Sequence, residues 1–171
     1  SFNTLYFHKQ REDVVRSLQH YRPFFYPLDA LREWNRIYGP KGFYQYQCVV
    51  PPERALPATR QLLEAIAASG MGSFLAVLKQ FGQPASRGML SFPVPGTTLA
   101  LDFPNQGPRL FKLFAQLDRI VLDAGGRLYP AKDGRMGAAI FKAGYPRWSE
   151  FKSYVDPRFS SGMWRRVMEQ S

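Results

Sequence analysis

Two glutamines, Gln45 and Gln47, lie in the middle of residues 42–51, a segment otherwise rich in aromatic and β-branched residues. Such a composition between glycine- and proline-containing breaks predicts a β-strand. Because side chains alternate between the two faces of a strand, both glutamines share one face, opposite Tyr44 and Tyr46. An amide on a half-buried strand needs a hydrogen-bond partner from the protein, from water or from a ligand. The glutamine face is therefore where we first expect binding chemistry.

Three further polar side chains are predicted to share this face with the glutamines. If the apolar residues of each predicted strand meet the helices, alternation places Lys79, Thr98 and Lys132 on the free face. Amides, a hydroxyl and two ammonium groups that converge beside apolar neighbours indicate a pocket for a small molecule. Each residue also has a structural alternative. The glutamines could satisfy loop groups, Lys79 could be a solvated edge lysine, and Lys132 could pair with Asp133 or be exposed.

The segments that must position these side chains follow a β-α-β-β-α-β order over residues 41–132. Alternating segments predict four strands, and apolar residues at helical spacing predict two helices between proline and glycine breaks. The strands are predicted at residues 42–51, 73–81, 97–103 and 127–129, and the helices at residues 57–70 and 107–124. This order is typical of the ferredoxin-like α+β fold, in which helices cover one face of an antiparallel sheet and the other face is free for a partner.

The remaining residues are predicted to form helical extensions of the same single domain, residues 1–171. The lead-in covers residues 1–40, with helices at 1–22 and 28–38, and the tail covers residues 133–171, with helices near 138–143 and 148–155. Because the chain begins at Ser1 inside an apolar-aromatic pattern, we expect it to be a fragment of a longer chain.

Composition excludes several classes of protein. The chain has 171 residues, 45% of them hydrophobic and 15% aromatic, which suits one globular domain and excludes disorder. No apolar run approaches the roughly 20 residues of a membrane-spanning helix. The single cysteine, Cys48, excludes an internal disulfide and a cysteine-rich metal site, and it favours a cytoplasmic location. The net charge of +10 fits a solvated basic surface, a pocket for an anion or a nucleic-acid surface.

The residues alone do not support a complete active site. No Ser/His/Asp arrangement, glycine-rich phosphate loop or metal motif occurs, and His8 and His20 have no acid–base or metal-ligand set near them. The alternative to a small-molecule pocket is an RNA-binding module of the RRM type, because residues 41–46 superficially match its aromatic ribonucleoprotein motif. That motif belongs on the third strand, which here carries Thr98, Ala100 and Asp102 in place of stacking aromatic residues.

Twelve short motifs also occur, in this order, in one family of flavoenzymes. The chain resembles the C-terminal substrate (cap) domain of FAD-linked oxidoreductases of the vanillyl-alcohol-oxidase type, and within them the decaprenylphosphoryl-ribose oxidases and the sugar and lactone oxidases. The motifs are YPLD at 26–29, WNR at 34–36, YGP at 38–40, GFYQYQ at 42–47, SFL at 73–75, LKQFG at 78–82, LSFP at 90–93, LALDFP at 99–104, GGRLY at 125–129, AKD at 131–133, YPR at 145–147 and VDP at 155–157. They cover nearly the whole chain.

The resemblance implies a two-domain flavoenzyme of which this chain is the second part. FAD would be bound mainly by an N-terminal domain of the same polypeptide, preceding Ser1, and the free sheet face would close over the flavin ring with a sugar-like substrate between them. The whole enzyme would oxidise an alcohol carbon of a sugar, sugar lactone or related polyol by hydride transfer to the flavin, whereas the isolated fragment is expected to be inactive. Nucleic acid is not expected as a partner.

The resemblance also implies roles for individual residues, by their positions in the matching motifs. Lys132 would be the catalytic residue and would contact the cofactor. At two positions of the third strand, Thr98 and Ala100 stand where the decaprenylphosphoryl-ribose oxidases have asparagine and cysteine, so polar contacts with substrate are expected to differ there. The implied substrate-binding residues are Gln45, Gln47, Lys79, Thr98 and Ala100.

Overall fold

The computed structural model describes residues 2–9, 14, 16–27, 29–30, 32–83, 86–132 and 134–168. The chain divides into two compact units, Ser1–Ile37 and Tyr38–Ser171. The division predicted from the sequence, a single domain with boundaries near residues 40 and 132, stays a prediction.

The first unit contains two short helices, α1 (Phe2–Lys9) and α2 (Tyr21–Phe25). The side chain of His20 caps α2, because its Nδ1 accepts a hydrogen bond from the Arg22 N–H at 3.3 Å. The helix predicted to run up to Pro23 is not formed as such, since residues 16–20 have no regular structure and Pro23 lies inside α2. No residue of α2 is buried, so there is no packing that would extend so short a helix.

The helix predicted at residues 28–38 is reduced to a 3₁₀ helix, Trp34–Tyr38. Leu28 and Leu31, on which that prediction depended, lie outside the described residues. Ile37 within it is exposed. Trp34 and Ile37, the two described residues of the predicted apolar stripe, are thus both exposed.

The second unit is built on a four-stranded antiparallel sheet in the order β2-β3-β1-β4. Two longer helices, α3 and α4, connect β1 to β2 and β3 to β4, so each pair of strands joined by a helix has another strand between them. This is the ferredoxin-like arrangement, and the predicted α+β fold is confirmed. The elements are β1 (Phe43–Val50), α3 (Ala55–Ser69), β2 (Ala76–Phe81), β3 (Gly96–Pro104), α4 (Pro108–Asp123) and β4 (Arg127–Leu128).

Helix α4 illustrates how sequence fixes these elements. Pro108 occupies the first turn, where its missing N–H needs no partner. The helix ends at Gly125, whose φ of 70° is the left-handed conformation that glycine adopts without strain. The N–H groups of Gly125 and Gly126 donate to the carbonyls of Leu122 and Val121, which closes the helix. The buried apolar residues of α4 are Leu110, Leu113, Phe114, Leu117 and Val121.

The helices cover one face of the sheet and form the core with it. On that face Tyr46, Cys48, Leu99, Leu101 and Phe103 are buried, in agreement with the predicted facing of β1 and β3. The equivalent prediction for the segment before β2 is wrong.

Alternation along the predicted strand at residues 73–81 puts Phe74 on the same side as Ala76 and Leu78, facing the helices, but Phe74 is 63% exposed. Its ring instead meets the edge of the Tyr38 ring, with centroids 5.5 Å apart. Strand β2 begins only at Ala76, so alternation does not extend back to Phe74.

The C-terminal tail contains the expected helical extension, as α5 (Ala138–Gly144), α6 (Trp148–Lys152) and α7 (Gly162–Met168). It contributes Ile140, Phe141, Tyr145 and Val167 to the same core as the sheet. Two further 3₁₀ helices, Pro52–Arg54 and Pro130–Lys132, follow β1 and β4. Across the described residues, no helix is both long and apolar enough to cross a membrane. The expected cytoplasmic location stays a prediction.

Candidate functional site

The face of the sheet away from the helices gathers polar side chains into rows that cross the strands. Strands β1 and β3 pair so that Gln45 lies opposite Asp102 and Gln47 lies opposite Ala100. In the next pair, Lys79 of β2 lies opposite Thr98. Because paired residues of antiparallel strands point to the same face, these side chains are direct neighbours.

One open pocket on this face is lined by all six residues that the sequence singled out. Strands β1 and β3 contribute its centre, and Ala100 provides room there because its side chain is small. Lys79 on β2 and Lys132 after β4 are both exposed. The predicted residues at the pocket are Gln45, Gln47, Lys79, Thr98, Ala100 and Lys132, and the further residues include Leu75, Val77 and Asp102. The roles assigned to them stay predictions.

Asp102 is the most buried ionisable side chain at the pocket, with 2% of its surface exposed. One carboxylate oxygen accepts a hydrogen bond from Gln45 Nε2 at 2.9 Å, and the other accepts one from the Tyr38 hydroxyl at 3.0 Å. The backbone N–H of Asp102 donates to Ser73 Oγ at 2.8 Å. A buried carboxylate requires such donors, since leaving it unpaired would cost several kcal/mol.

Tyr38 is held against the sheet by both its ring and its hydroxyl. Its ring stacks on Phe43, with centroids 4.2 Å apart and planes inclined by 23°. Burial, together with the hydrogen bond and the negative charge of Asp102, raises the pKa of Tyr38 to about 12. The hydroxyl therefore keeps its proton and can act as a donor to Asp102 at ordinary pH.

Gln47 has a different kind of partner. Its Nε2 donates to the hydroxyl oxygen of Thr98 at 3.2 Å, and Thr98 is 1% exposed. A hydroxyl both donates and accepts, whereas a carboxylate only accepts. The two glutamines are thus alike in position on β1 but are held by groups with different hydrogen-bonding abilities.

Lys132 is carried by a short segment that is tied to the sheet through its backbone. The N–H of Tyr129 donates to the carbonyl of Gln47 at 2.8 Å, and the N–H of Lys132 donates to the carbonyl of Tyr129 at 3.1 Å. Asp133, the alternative partner predicted for Lys132, lies outside the described residues. Two successive hydrogen bonds therefore place the Lys132 backbone directly beside the row that contains Gln47.

The residues after Lys132 are anchored on the helical side. Arg135 forms a two-pronged ion pair with Asp118 of α4, at 2.6 and 2.7 Å, and the Tyr46 hydroxyl donates to the same carboxylate at 3.1 Å. Two parallel bonds of this kind fix orientation as well as distance. Gly134 packs against the Tyr44 ring so closely that an added Cβ would come within 2.8 Å of it. The segment that carries Lys132 is therefore fastened at both of its ends.

The open face lacks the features of the other candidate classes. Its central positions carry amides, a hydroxyl, a carboxylate and Ala100, and its aromatic residues are already stacked, Phe43 on Tyr38 and Phe92 on Tyr129. Single-stranded RNA needs exposed rings for its bases, and the described central positions of this face carry none. Within the described ranges, no group of three or more histidine, cysteine or acidic residues could hold a metal ion.

Sequence reasoning missed Asp102 as a residue of the pocket, and it missed Tyr38 as the donor that bonds to Asp102 from outside the pocket. Alternation along β3 does place Asp102 on the free face, so an acidic residue within an apolar strand was a usable signal. Tyr38 precedes the sheet in a 3₁₀ helix and is separated from Asp102 by 64 residues. No local pattern links the two.

FAD is the cofactor implied by the resemblance, and the residues of this face fit one side of its flavin ring only. Two exposed lysines and two glutamine amides can meet the polar edge of such a ring. The chain has no glycine-rich strand-to-helix loop that would hold the diphosphate. The residues therefore suit contact with the ring and with substrate rather than retention of the whole cofactor.

Comparison with known proteins finds two informative relatives, and no protein-family model matches the chain. The chain is 46% identical over 155 residues to decaprenylphosphoryl-beta-D-ribose oxidase from Mycolicibacterium smegmatis (strain ATCC 700084 / mc(2)155), covering 88% of this chain and 33% of that protein. It is 34% identical over 132 residues, covering 74% of this chain, to an uncharacterized protein in the mprA 5′ region of Streptomyces coelicolor. The chain spans about a third of each relative. The resemblance predicted from the motifs is confirmed.

Proposed function

We propose that this chain, a homologue of about one third of an oxidase, is the substrate-binding part of an FAD-dependent oxidoreductase that acts on an alcohol carbon of a sugar, sugar lactone or related polyol. The observation that carries the proposal is the meeting of all six motif-derived positions at one pocket on the helix-free face. Homology supports the class of enzyme, and the meeting of these positions supports a substrate site on the helix-free face.

The pocket suits a small polyhydroxylated ligand with an anionic group. Glutamine amides orient hydroxyl groups through directed hydrogen bonds, and exposed lysines attract a phosphate as point charges. The relative's name describes a ribose that carries a phosphoryl group. We therefore take a phosphorylated pentose as the substrate class to test first, with Lys79 as the phosphate or hydroxyl contact and Gln45 and Gln47 as the hydroxyl contacts.

The proposal includes a partner domain in the same polypeptide that binds most of FAD. FAD, when bound, supplies the acceptor for the hydride removed from the alcohol carbon. The ammonium group of Lys132 would contact the flavin ring or the substrate oxygen. Its fixed positive charge would stabilise the negative charge that develops on that group during oxidation. The backbone hydrogen bonds that tie residues 129–132 to β1 would keep that charge in position.

The test uses the full-length protein that contains this chain. We expect it to show flavin absorbance that bleaches on addition of a suitable sugar alcohol, lactone or ribose phosphate under anaerobic conditions. Lys132→Met should slow flavin reduction by about ten- to a hundredfold, which is the range for losing one charge-assisted contact.

The matched control is Lys152→Met, which removes another exposed lysine, on α6, that does not line the pocket. It should reduce flavin at the wild-type rate. A full-length protein without flavin absorbance would overturn the proposed function, and unchanged reduction in Lys132→Met would remove that lysine from the mechanism.

A further inference from the structure

The two terminal groups of a glutamine amide, Nε2 and Oε1, are nearly equal in size but opposite in hydrogen bonding. The Nε2 end donates and the Oε1 end accepts, so the partner at one end decides what the other end offers. At Gln45 the inner partner is the Asp102 carboxylate, which accepts only, at 2.9 Å from Nε2. Oε1 of Gln45 must then point away from Asp102, and Gln45 is one of the residues that line the pocket.

The Asp102 carboxylate is itself held in place, so it keeps the Gln45 amide in this orientation. Its second oxygen is held by the Tyr38 hydroxyl and its backbone N–H by Ser73. The side chain is 2% exposed, so water cannot replace either donor without local opening. Among the described residues, no group donates to the Oε1 of Gln45. This oxygen is the acceptor that remains for a ligand.

Gln47 supplies the contrast within the same strand. Its inner partner is the Thr98 hydroxyl, which can accept from Nε2 or, after a rotation, donate to Oε1. Gln47 can therefore turn either end toward the pocket, and it does not by itself discriminate a donor from an acceptor on the ligand.

We propose that Asp102 is a positioning residue that fixes Gln45 with its carbonyl oxygen toward the pocket, and thereby makes the site select a ligand with a hydroxyl donor at that point. The inference rests on the proposed function for the class of ligand. It adds to that function a residue that sets specificity without touching the substrate.

The experiment compares hydroxyl ligands with fluorinated ones in the full-length protein. The probes are β-D-ribose 1-phosphate and its 2-deoxy-2-fluoro and 3-deoxy-3-fluoro analogues, because fluorine is close to hydroxyl in size but cannot donate a hydrogen. Calorimetry measures the affinity for each probe. We expect wild type to bind one of the two fluoro analogues, whichever lacks the hydroxyl that meets Gln45, about tenfold more weakly than the parent sugar phosphate, as for loss of one hydrogen bond. Asp102→Asn should reduce that ratio to about threefold or less, since an amide can either accept from Nε2 of Gln45 or donate to its Oε1.

Tyr38→Phe is the matched control, because it removes the other hydrogen bond to the same carboxylate and leaves the bond to Gln45 in place. It should destabilise the protein yet keep the tenfold discrimination. An unchanged ratio in Asp102→Asn, an equal fall in Tyr38→Phe, equal binding of all three probes by wild type, or binding of none of them would each overturn the inference.

A crystal structure of the wild-type complex with the ribose phosphate tests the same point if Asp102→Asn does not fold. The ligand atom nearest Gln45 Oε1 should be a hydroxyl oxygen within hydrogen-bond distance, and a phosphate oxygen there would contradict the inference. Calorimetry and the crystal structure both report ligand binding, so their results do not depend on flavin reduction. Discrimination without any alcohol oxidation would refute the proposed function alone, and oxidation without discrimination would refute the inference alone.

Discussion

The two faces of strand β3 show how one segment serves both stability and binding. Phe103 is fully buried on the covered face, with its ring edge-on to Phe114 at 5.5 Å between centroids. Its neighbour Asp102 is almost as buried, but on the open face, where its environment is two hydrogen-bond donors rather than apolar side chains. Burial alone therefore does not separate the core from the site, whereas the chemistry of the neighbours does.

Burial on the covered face also lowers the reactivity of the side chains there. Burial raises the pKa of the Cys48 thiol to about 12, so it stays protonated and unreactive at ordinary pH. On the open face, by contrast, the Gln45 Oε1 and the exposed ammonium groups of Lys79 and Lys132 can contact a ligand. The following changes test this contrast, in order of decreasing expected effect on the free energy of unfolding.

Phe103→Ala should have the largest effect, a loss of about 3–5 kcal/mol in the free energy of unfolding, because it leaves a cavity in a close-packed core. Urea denaturation measures it. Phe159→Ala is the control, since Phe159 is 75% exposed and its truncation should change stability by less than about 0.5 kcal/mol. A loss below about 1 kcal/mol for Phe103→Ala would mean that β3 is not packed on the helices as described.

Tyr38→Phe should cost about 1 kcal/mol at neutral pH, because one oxygen of the buried Asp102 loses its donor. The pKa of Tyr38 is about 12 in the folded protein and 10 in an unperturbed tyrosine. The unfolded state therefore loses this proton first as pH rises, and the stability from the protonated hydroxyl is present below pH 10 and is lost towards pH 12. The advantage of wild type over Tyr38→Phe should shrink across that interval.

The measurement for Tyr38 is urea denaturation of wild type and variant at neutral pH and at several values between pH 10 and 12. Tyr154→Phe serves as the control, because Tyr154 is 72% exposed and should leave stability unaltered at neutral pH. A difference between wild type and Tyr38→Phe that stayed constant up to pH 12 would show that the hydroxyl is not bonded to Asp102.

The order of elements and the facing of the strands were predictable from the sequence because both depend on local periodicity. The alternation of Tyr46 and Cys48 with Gln45 and Gln47 assigns each to a face without any knowledge of the partner strand. Packing of the core enforces this facing, because a shift of one residue in the pairing register of β1 would place two glutamines in the core.

The contacts within the site were not predictable, because they depend on register and on distant segments. Alternation places Asp102 on a face but does not say that Gln45 is the residue opposite. Tyr38 reaches Asp102 from a 3₁₀ helix, and the segment that carries Lys132 is held through Arg135, which pairs with Asp118 of α4 on the other side of the sheet. Periodicity also misled where no core exists, as in the helix predicted up to Pro23, whose neighbours in α2 are all exposed.

Lys79→Met should have the smallest effect on stability and so gives the sharpest contrast with Phe103→Ala. Lys79 is exposed on the edge strand, and among the described residues it has no ion-pair partner, so its loss should change the free energy of unfolding by less than about 0.5 kcal/mol. Binding of β-D-ribose 1-phosphate to the full-length protein should nevertheless weaken about tenfold, and it should depend less on salt, because a positive charge at the pocket is removed. Lys152→Met should leave both the affinity and its salt dependence unchanged. If Lys79→Met bound the phosphate as tightly as wild type, the lysine would be a solvated edge residue, and the anion contact would have to come from Lys132 or from the rest of the protein.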